Sequence, residues 1–232
     1  MMYRDRTDAG RRLVQQLRER ITALDGEETV VLGVAPGGLV VAREVALAIR
    51  APLDVVVALR LPAPGYDDLG IGGVAIGGTA RLDERTIAML GVGPEYVAET
   101  VRAVTAEVEL LTSRYRSGRP PVALGGRRVV VVDDGAQTRY RSRAAVGAAR
   151  AAGAREVIFA VPVAASDVLD ALAVEADAVI CDQVPERHCG IGAYYARSEL
   201  PRLEELRAML TRGTIPPFTP GGRRRTPTAD LR

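Results

Sequence analysis

The sequence contains no lysine, and all 31 of its basic residues are therefore arginine. This absence excludes Schiff-base chemistry on a lysine amine, and it excludes the lysine of a GxxxxGK[ST] phosphate-binding loop. The single histidine, His188, stands in a chain without a GxSxG nucleophile motif, so the sequence does not predict a serine hydrolase. Two cysteines, Cys181 and Cys189, are too few for a disulfide framework, and their spacing with His188 is unlike that of a structural zinc site.

The chain also lacks a run of about 18 apolar residues, so no membrane-spanning segment is predicted. Its first residues, MMYRDRTDAGRR, are charged and lack the apolar core of a secretory signal, and we therefore expect a cytoplasmic protein. The net charge of +2 does not favour nucleic acid as a partner. Residues 213–232 are rich in arginine and have no apolar periodicity, which predicts a disordered tail.

What the sequence does contain is an alternation of apolar runs with helical patterns. Its 232 residues, 47% of them hydrophobic, predict one α/β domain over residues 1–212 rather than two equal domains. Runs such as TVVLGVA, LDVVVAL and RRVVVVDD are typical of strands that are buried on both faces of a parallel sheet. The predicted fold is therefore α/β, a parallel sheet flanked by helices, with the first helix over residues 5–24.

Residues 60–125 interrupt this alternation. The first part, residues 60–82, is rich in glycine and proline and predicts a loop and a β-hairpin outside the main sheet. Apolar residues at helical spacing then predict a long helix over residues 94–118. We expect this insertion to form a small hood beside the main sheet.

The stretch VVVVDDGAQTRYRS, residues 129–142, joins an apolar strand to a helix predicted to begin near Ser142. Asp133 and Asp134 fall at the carboxyl end of the strand, where open α/β sheets bind their ligands. Carboxylates accept hydrogen bonds from vicinal hydroxyls and can hold hydrated Mg²⁺, while the free amides of a helix N-terminus attract an anion. The combination predicts a phosphorylated ribose as the small-molecule partner, with Mg²⁺ near the two aspartates but not tightly bound.

The same stretch resembles the signature of the type I phosphoribosyltransferases: four apolar residues, two acidic residues, a few small residues, and then Thr-Gly-x-Thr/Ser. Residues 129–132 match the apolar positions, Asp133 and Asp134 match the acidic pair, and Thr138 matches the first threonine. Over residues 3–195 the chain also resembles a bacterial branch of phosphoribosyltransferase-domain proteins, in YRDRTDAGRRL, PGG, RPP, VPVA and GAYY. The resemblance implies transfer of a 5-phosphoribosyl group from phosphoribosyl pyrophosphate to a nitrogenous acceptor, with Mg²⁺ as the cofactor.

The resemblance also implies roles for individual residues. Asp133 and Asp134 would be the catalytic pair that holds the ribose. The residues from Thr138 to Ser142 would hold the 5′-phosphate, and Gly37, Gly38 and Arg60 would face the pyrophosphate. The loop after the last strand, with Arg187 and His188, would contact the base or a second ligand. The substrate-binding candidates are Gly37, Gly38, Arg60, Gln137, Thr138, Arg139, Tyr140, Arg141, Ser142, Arg187 and His188.

Several residues depart from the family pattern. Arg139 replaces a glycine, Tyr140 a small residue, and Arg141 a threonine or serine. A left-handed backbone at Arg139 would cost about 1–2 kcal/mol, and bulky side chains would fill a cradle of amides, although an arginine can itself bind phosphate. Ala35–Pro36 stand where the branch has Pro-Arg, which removes a positive group near the pyrophosphate.

Three functions therefore stay open: a phosphoribosyltransferase, a binding or regulatory protein on the same fold that has lost turnover, and an enzyme repurposed for another phosphorylated small molecule. A homodimer is an open alternative for its assembly.

Overall fold

The computed structural model describes residues 2–21, 28–77, 79–186 and 189–212. Within these ranges the chain forms seven α-helices, eight strands and a short 3-10 helix at Ile191–Tyr194. The helices are α1 Arg6–Arg20, α2 Gly37–Ile49, α3 Glu84–Leu90, α4 Pro94–Arg116, α5 Arg139–Ala151, α6 Ser166–Ala173 and α7 Leu203–Arg212. The strands are β1 Thr29–Val34, β2 Leu53–Val56, β3 Ala58–Ala63, β4 Tyr66–Ala75, β5 Thr79–Leu82, β6 Arg128–Val132, β7 Glu156–Val163 and β8 Ala178–Gln183.

The main sheet has five strands in the order β2-β1-β6-β7-β8, and every neighbouring pair is parallel. Its central strand shows why the apolar runs are continuous. Val130 and Val132 pack into a core with α1 and α2, whereas Val129 and Val131 pack on the opposite face with α5 and α6. Because successive side chains point to opposite faces and helices cover both, none of the four valines of the strand faces water. The predicted parallel α/β sheet is confirmed.

The hood differs from the predicted hairpin in two respects. It is a three-stranded antiparallel sheet, β3-β4-β5, because the short segment Thr79–Leu82 adds a third strand. It also begins earlier than residue 60, because the apolar run LDVVVAL divides at Val57 between β2 in the main sheet and β3 in the hood.

Two further predictions concern the chain as a whole. The tail at residues 213–232 lies outside the described residues. Among the helices that the structure does describe, none combines the length and the apolar character that a membrane crossing requires.

Candidate functional site

The acidic pair lies where the main sheet changes direction. From β1 the chain continues to β2 on one side of the sheet, whereas β6 continues to β7 on the other. The carboxyl ends of β1 and β6 therefore flank a topological switch point, at which the following loops diverge and leave a crevice. Asp133 and Asp134 come directly after β6, so the fold places both at this crevice.

Asp133 borders a cavity but is only 2% exposed. One of its carboxylate oxygens, Oδ1, accepts a hydrogen bond from the backbone N–H of Asp134 at 2.9 Å. Burial raises the pKa of Asp133 well above its usual range, and the positive charge of Arg141 offsets part of that rise. A carboxyl group with a raised pKa at the mouth of a crevice is a candidate for ligand binding.

Asp134 has a different environment, because its carboxylate is bound to Arg6 of α1. The Nε of Arg6 donates to Oδ2 of Asp134 at 2.7 Å, and both side chains are less than a tenth exposed. The same guanidinium donates to the carbonyl of Ser198 at 2.7 Å and lies over the ring of Tyr195, whose hydroxyl donates to the Asp134 carbonyl. Asp134 is therefore part of a buried ion pair that ties α1 and residues 195–198 to the end of β6.

Gly37 and Gly38 begin α2 and pack directly against this pair. A Cβ on Gly37 would lie 2.0 Å from Oδ2 of Asp134, and one on Gly38 would lie 2.6 Å from the Val132 carbonyl. Glycine is thus required here for close approach. The predicted contact of both glycines with a pyrophosphate stays a prediction.

The predicted loop TRYRS is largely helical. Helix α5 begins at Arg139, three residues before the predicted start, and Thr138 is its N-cap with an extended backbone. Positive φ values at non-glycine residues occur in the described chain only at Arg50 and Ser117, so Arg139 does not incur the cost of a left-handed backbone. The side chain of Thr138 makes no capping hydrogen bond. The first amides of α5 are therefore available to an anion.

Arg139 and Tyr140 do not fill the space in front of these amides. Their side chains reach the hood, where Arg139 donates to Oδ2 of Asp83 at 2.5 Å and the Tyr140 hydroxyl donates to the same atom at 3.1 Å. Asp83 is the N-cap of α3 and also accepts from the backbone N–H of Thr86. Burial raises the pKa of Asp83, but the bonds from Arg139, Thr86 and Tyr140 outweigh it and lower this pKa to about 2.

Tyr140 also explains two glycines of the hood. A Cβ on Gly70 would lie 2.7 Å from the Tyr140 ring, and one on Gly73 would lie 2.3 Å from the Tyr140 carbonyl. The bulky residues of TRYRS therefore attach the hood to α5. Whether Arg139 and Tyr140 also touch a ligand stays a prediction.

The cavity in front of Asp133 has a volume of about 200 Å³. A Cβ on Gly135 would lie 2.9 Å from Ile191, so Ile191 closes the cavity from the 3-10 helix. Six of the predicted site residues meet at this cavity, which is lined by Arg60, Asp133, Gly135, Ala136, Gln137, Thr138, Arg141, Ser142 and Ile191. The predicted residues Arg187 and His188 lie outside the described residues.

A larger cavity of about 440 Å³ lies elsewhere, between the connector at residues 121–125 and the C-terminal half of α5. It is mainly apolar, and its charged pair, Asp54 and Arg116, is joined at 3.0 Å. Asp54 also accepts the backbone N–H of Val122, so its carboxylate is already occupied. The smaller cavity has the polar groups, and we take it as the candidate site.

The residues at this cavity fit Mg²⁺ only as an ion that the ligand carries with it. Among the described residues, no cluster of three or more His, Cys, Asp or Glu side chains could hold a metal ion. Mg²⁺ commonly binds through one or two carboxylates together with substrate phosphates. Asp133 can supply one carboxylate, whereas that of Asp134 is engaged by Arg6.

Sequence reasoning missed three residues of this region: Arg6, Asp83 and Ile191. Arg6 lies 128 residues from its partner Asp134, so no local pattern connects the two. A signal existed for Asp83, because an aspartate followed by ERT is typical of a helix N-terminus.

The parallel five-stranded sheet, the acidic pair at its switch point and the separate hood agree with the fold that the resemblance to the type I phosphoribosyltransferases implied. Two curated proteins of Mycobacterium tuberculosis, named "Putative phosphoribosyl transferase Rv0571c" (strain H37Rv) and "Putative phosphoribosyl transferase MT0597" (strain CDC 1551 / Oshkosh), are each 35% identical over 211 residues, which is 91% of this chain and 47% of each relative. The crystal structure of TT1426 from Thermus thermophilus is 34% identical and superimposes with a TM-score of 0.77, covering 91% of this chain and 99% of that one. The chain belongs to the type I phosphoribosyltransferase family.

The chain spans about half the length of the curated relatives that it matches. No family model matches it.

Proposed function

We propose that the protein transfers a 5-phosphoribosyl group from phosphoribosyl pyrophosphate to a nitrogenous acceptor. The observation that carries this proposal is the cavity at the switch point, in which the buried carboxylate of Asp133 faces the first turn of α5. A carboxylate for sugar hydroxyls and helix amides for a phosphate are the two features that a ribose 5-phosphate group needs.

Four of the lining residues and the amides of α5 have roles in this proposal. Asp133 accepts hydrogen bonds from the ribose hydroxyls, and the amides of α5 bind the 5′-phosphate together with the hydroxyls of Thr138 and Ser142. Arg60 faces the pyrophosphate. Catalysis is then electrostatic: the carboxylate stabilises positive charge that develops on the ribose, and the cations stabilise the departing pyrophosphate. Mg²⁺, when bound with the ligand, neutralises pyrophosphate charge.

The proposal is tested by calorimetric titration with phosphoribosyl pyrophosphate, with and without Mg²⁺. We expect binding that Mg²⁺ strengthens, and we expect Asp133→Asn to weaken it about tenfold or more, because an amide NH₂ replaces one of the two oxygens that accept from the ribose hydroxyls. Asp170→Asn, an exposed carboxylate on α6, is the control and should bind like wild type. An Asp133→Asn variant that melts normally and binds with unchanged affinity would contradict the assignment.

Turnover is tested separately, by pyrophosphate release with a panel of nitrogenous bases. Release that depends on both the base and Asp133 is the expected result. Binding without release for any base would support a second candidate, a binding or regulatory protein on the same fold. One observation favours that candidate: the second carboxylate of the acidic pair is neutralised by Arg6 and is not free for a ribose hydroxyl.

We also propose a cytoplasmic location. Cys181 and Cys189 are both free thiols, which is expected in a reducing compartment.

A further inference from the structure

Three arginines lie next to the acidic pair or in the first turn of α5, and they differ in how their charge is used. Arg6 is paired with the carboxylate of Asp134, and Arg139 is paired with that of Asp83. The guanidinium of Arg141 is instead bonded to neutral groups: its Nε donates to the Ala58 carbonyl at 3.2 Å, and one of its Nη atoms donates to the Ala35 carbonyl at 3.0 Å. Two carbonyls fix the position of a guanidinium without cancelling its charge.

The guanidinium of Arg141 lies away from α5, the helix to which its backbone belongs. The backbone of Arg141 belongs to the first turn of α5, but its side chain crosses to Ala35, just before α2, and to Ala58, the first residue of β3. Arg141 lines the cavity together with Asp133 and Arg60. A guanidinium has five N–H donors, of which two are accounted for by these carbonyls. The cavity therefore offers two places for an anion: the amides at the start of α5, and the guanidinium on the α2 side.

We propose that Arg141 is a specificity-determining residue that binds a second anionic group, a diphosphate, on the α2 side of the cavity, while the amides of α5 bind the sugar phosphate. The inference rests on the proposed function, in which pyrophosphate is the leaving group. It assigns Arg141, a residue of the phosphate-binding helix α5, to the binding of that leaving group. It also accounts for the sequence Ala35–Pro36, which has no cation of its own. The charge at this loop comes from α5 instead.

The alternative is that Arg141 binds the same phosphate as the α5 amides. The two cases differ in which part of the ligand loses affinity when the guanidinium is removed. Inorganic pyrophosphate probes the site on the α2 side alone, and ribose 5-phosphate probes the sugar-phosphate site at the amides of α5 alone. Both are titrated by calorimetry at a fixed Mg²⁺ concentration against wild type, Arg141→Gln, Arg141→Lys and a control.

The control is Arg143→Gln, which removes an arginine of the same helix that is ion-paired with Glu175 at 2.5 Å and does not line the cavity. We expect Arg141→Gln to weaken pyrophosphate about 10- to 100-fold, the value of a charge-assisted hydrogen bond or two, and to change ribose 5-phosphate less than about threefold. Arg141→Lys keeps the charge but cannot bridge both carbonyls, so it should recover part of the pyrophosphate affinity. Arg143→Gln should change neither ligand by more than about twofold.

Every other outcome contradicts the assignment of Arg141, the proposed function, or both. A loss confined to ribose 5-phosphate, an equal loss for both ligands, or no loss at all overturns the assignment of Arg141 and leaves the proposed function standing. If wild type binds pyrophosphate through Arg141 but neither ribose 5-phosphate nor phosphoribosyl pyrophosphate, the assignment holds and the proposed function fails. If wild type binds none of these ligands, both are wrong. Should Arg141→Gln not fold, the Arg141→Lys titration decides by the same criteria.

Discussion

Two buried aspartates, one at each sheet, receive an arginine from another part of the chain. At the main sheet, Asp134 binds Arg6, and the side chains are 9% and 8% exposed. At the hood, Asp83 is as deeply buried, but its partner Arg139 is 37% exposed. The chemistry of the two pairs is the same, and the difference lies in how much water reaches the cation.

This difference should decide what each pair contributes to stability. Water screens the charge of Arg139 and would solvate it if its partner were removed, whereas Arg6 would be left charged in a dry environment. The Arg6 pair is therefore costly to break, and the Arg139 pair should act mainly as a local fastening between the hood and α5. Four substitutions test this contrast, beginning with the one expected to have the largest effect.

Gly37→Ala should break the main-sheet pair by crowding. The new Cβ would lie 2.0 Å from Oδ2 of Asp134 and 2.8 Å from Nε of Arg6, so α2 or the ion pair must move. We expect a loss of about 4 kcal/mol or more in the free energy of unfolding, since overpacking and pair disruption add. Urea unfolding measures it. Gly125→Ala, where a Cβ has open space around it, is the control and should stay within about 0.5 kcal/mol of wild type.

Asp134→Asn should destabilise the protein by about 3–5 kcal/mol, because it leaves the buried guanidinium of Arg6 without a counter-charge. Asp133→Asn should cost much less, since Asp133 has no ion pair in the part of the chain that the structure describes. The comparison uses chemical denaturation of both variants at the same pH. Equal losses of unfolding free energy in the two variants would contradict the inference that Asp134 has a structural role and Asp133 does not.

Asp83→Asn should cost about 1.5–3 kcal/mol at neutral pH, because hydrogen bonds to a charged carboxylate are weakened and the exposed Arg139 can turn to water. The pKa of Asp83 is lowered to about 2 in the folded protein, so its contribution to stability is present above its unfolded pKa of about 4. The contribution is lost as the pH falls from about 4 towards 2. The gap between wild type and Asp83→Asn in urea unfolding should therefore narrow over that range, and a constant gap would contradict the charge-based account.

Tyr140→Phe should have the smallest effect. It removes the hydroxyl that donates to Asp83 at 3.1 Å but keeps the ring against Gly70. One hydrogen bond is worth about 0.5–1.5 kcal/mol, and Arg139 and Thr86 still satisfy the carboxylate. Thermal unfolding should show a shift of a few degrees at most. A loss as large as that of Asp134→Asn would mean that the hood pair, too, behaves as a buried one.

Much of the main sheet could be predicted from the sequence because its signals are local. The run at residues 129–132 is apolar at every position, and the structure buries those positions on both faces of a parallel sheet. The placement of Asp133 and Asp134 at the strand end follows from the same run. The hood was predicted less well, since its third strand is the four-residue segment Thr79–Leu82 in a glycine-rich region, where short-range patterns are weak.

Local sequence patterns were enough to predict the parallel α/β sheet and the two carboxylates at the end of β6, because the periodicity of burial and the alternation of strands with helices are written in neighbouring residues. The switch point that forms the crevice depends on the order of the strands in the sheet, which only the folded chain shows. How those carboxylates and arginines are used depends on the folded chain. Arg6 meets Asp134 across 128 positions and Arg139 meets Asp83 across 56, so the chain must fold before either charge has a partner. A charge acquires its role from its surroundings: Arg6 is buried against an opposite charge, whereas neutral carbonyls hold the guanidinium of Arg141 at the wall of the cavity.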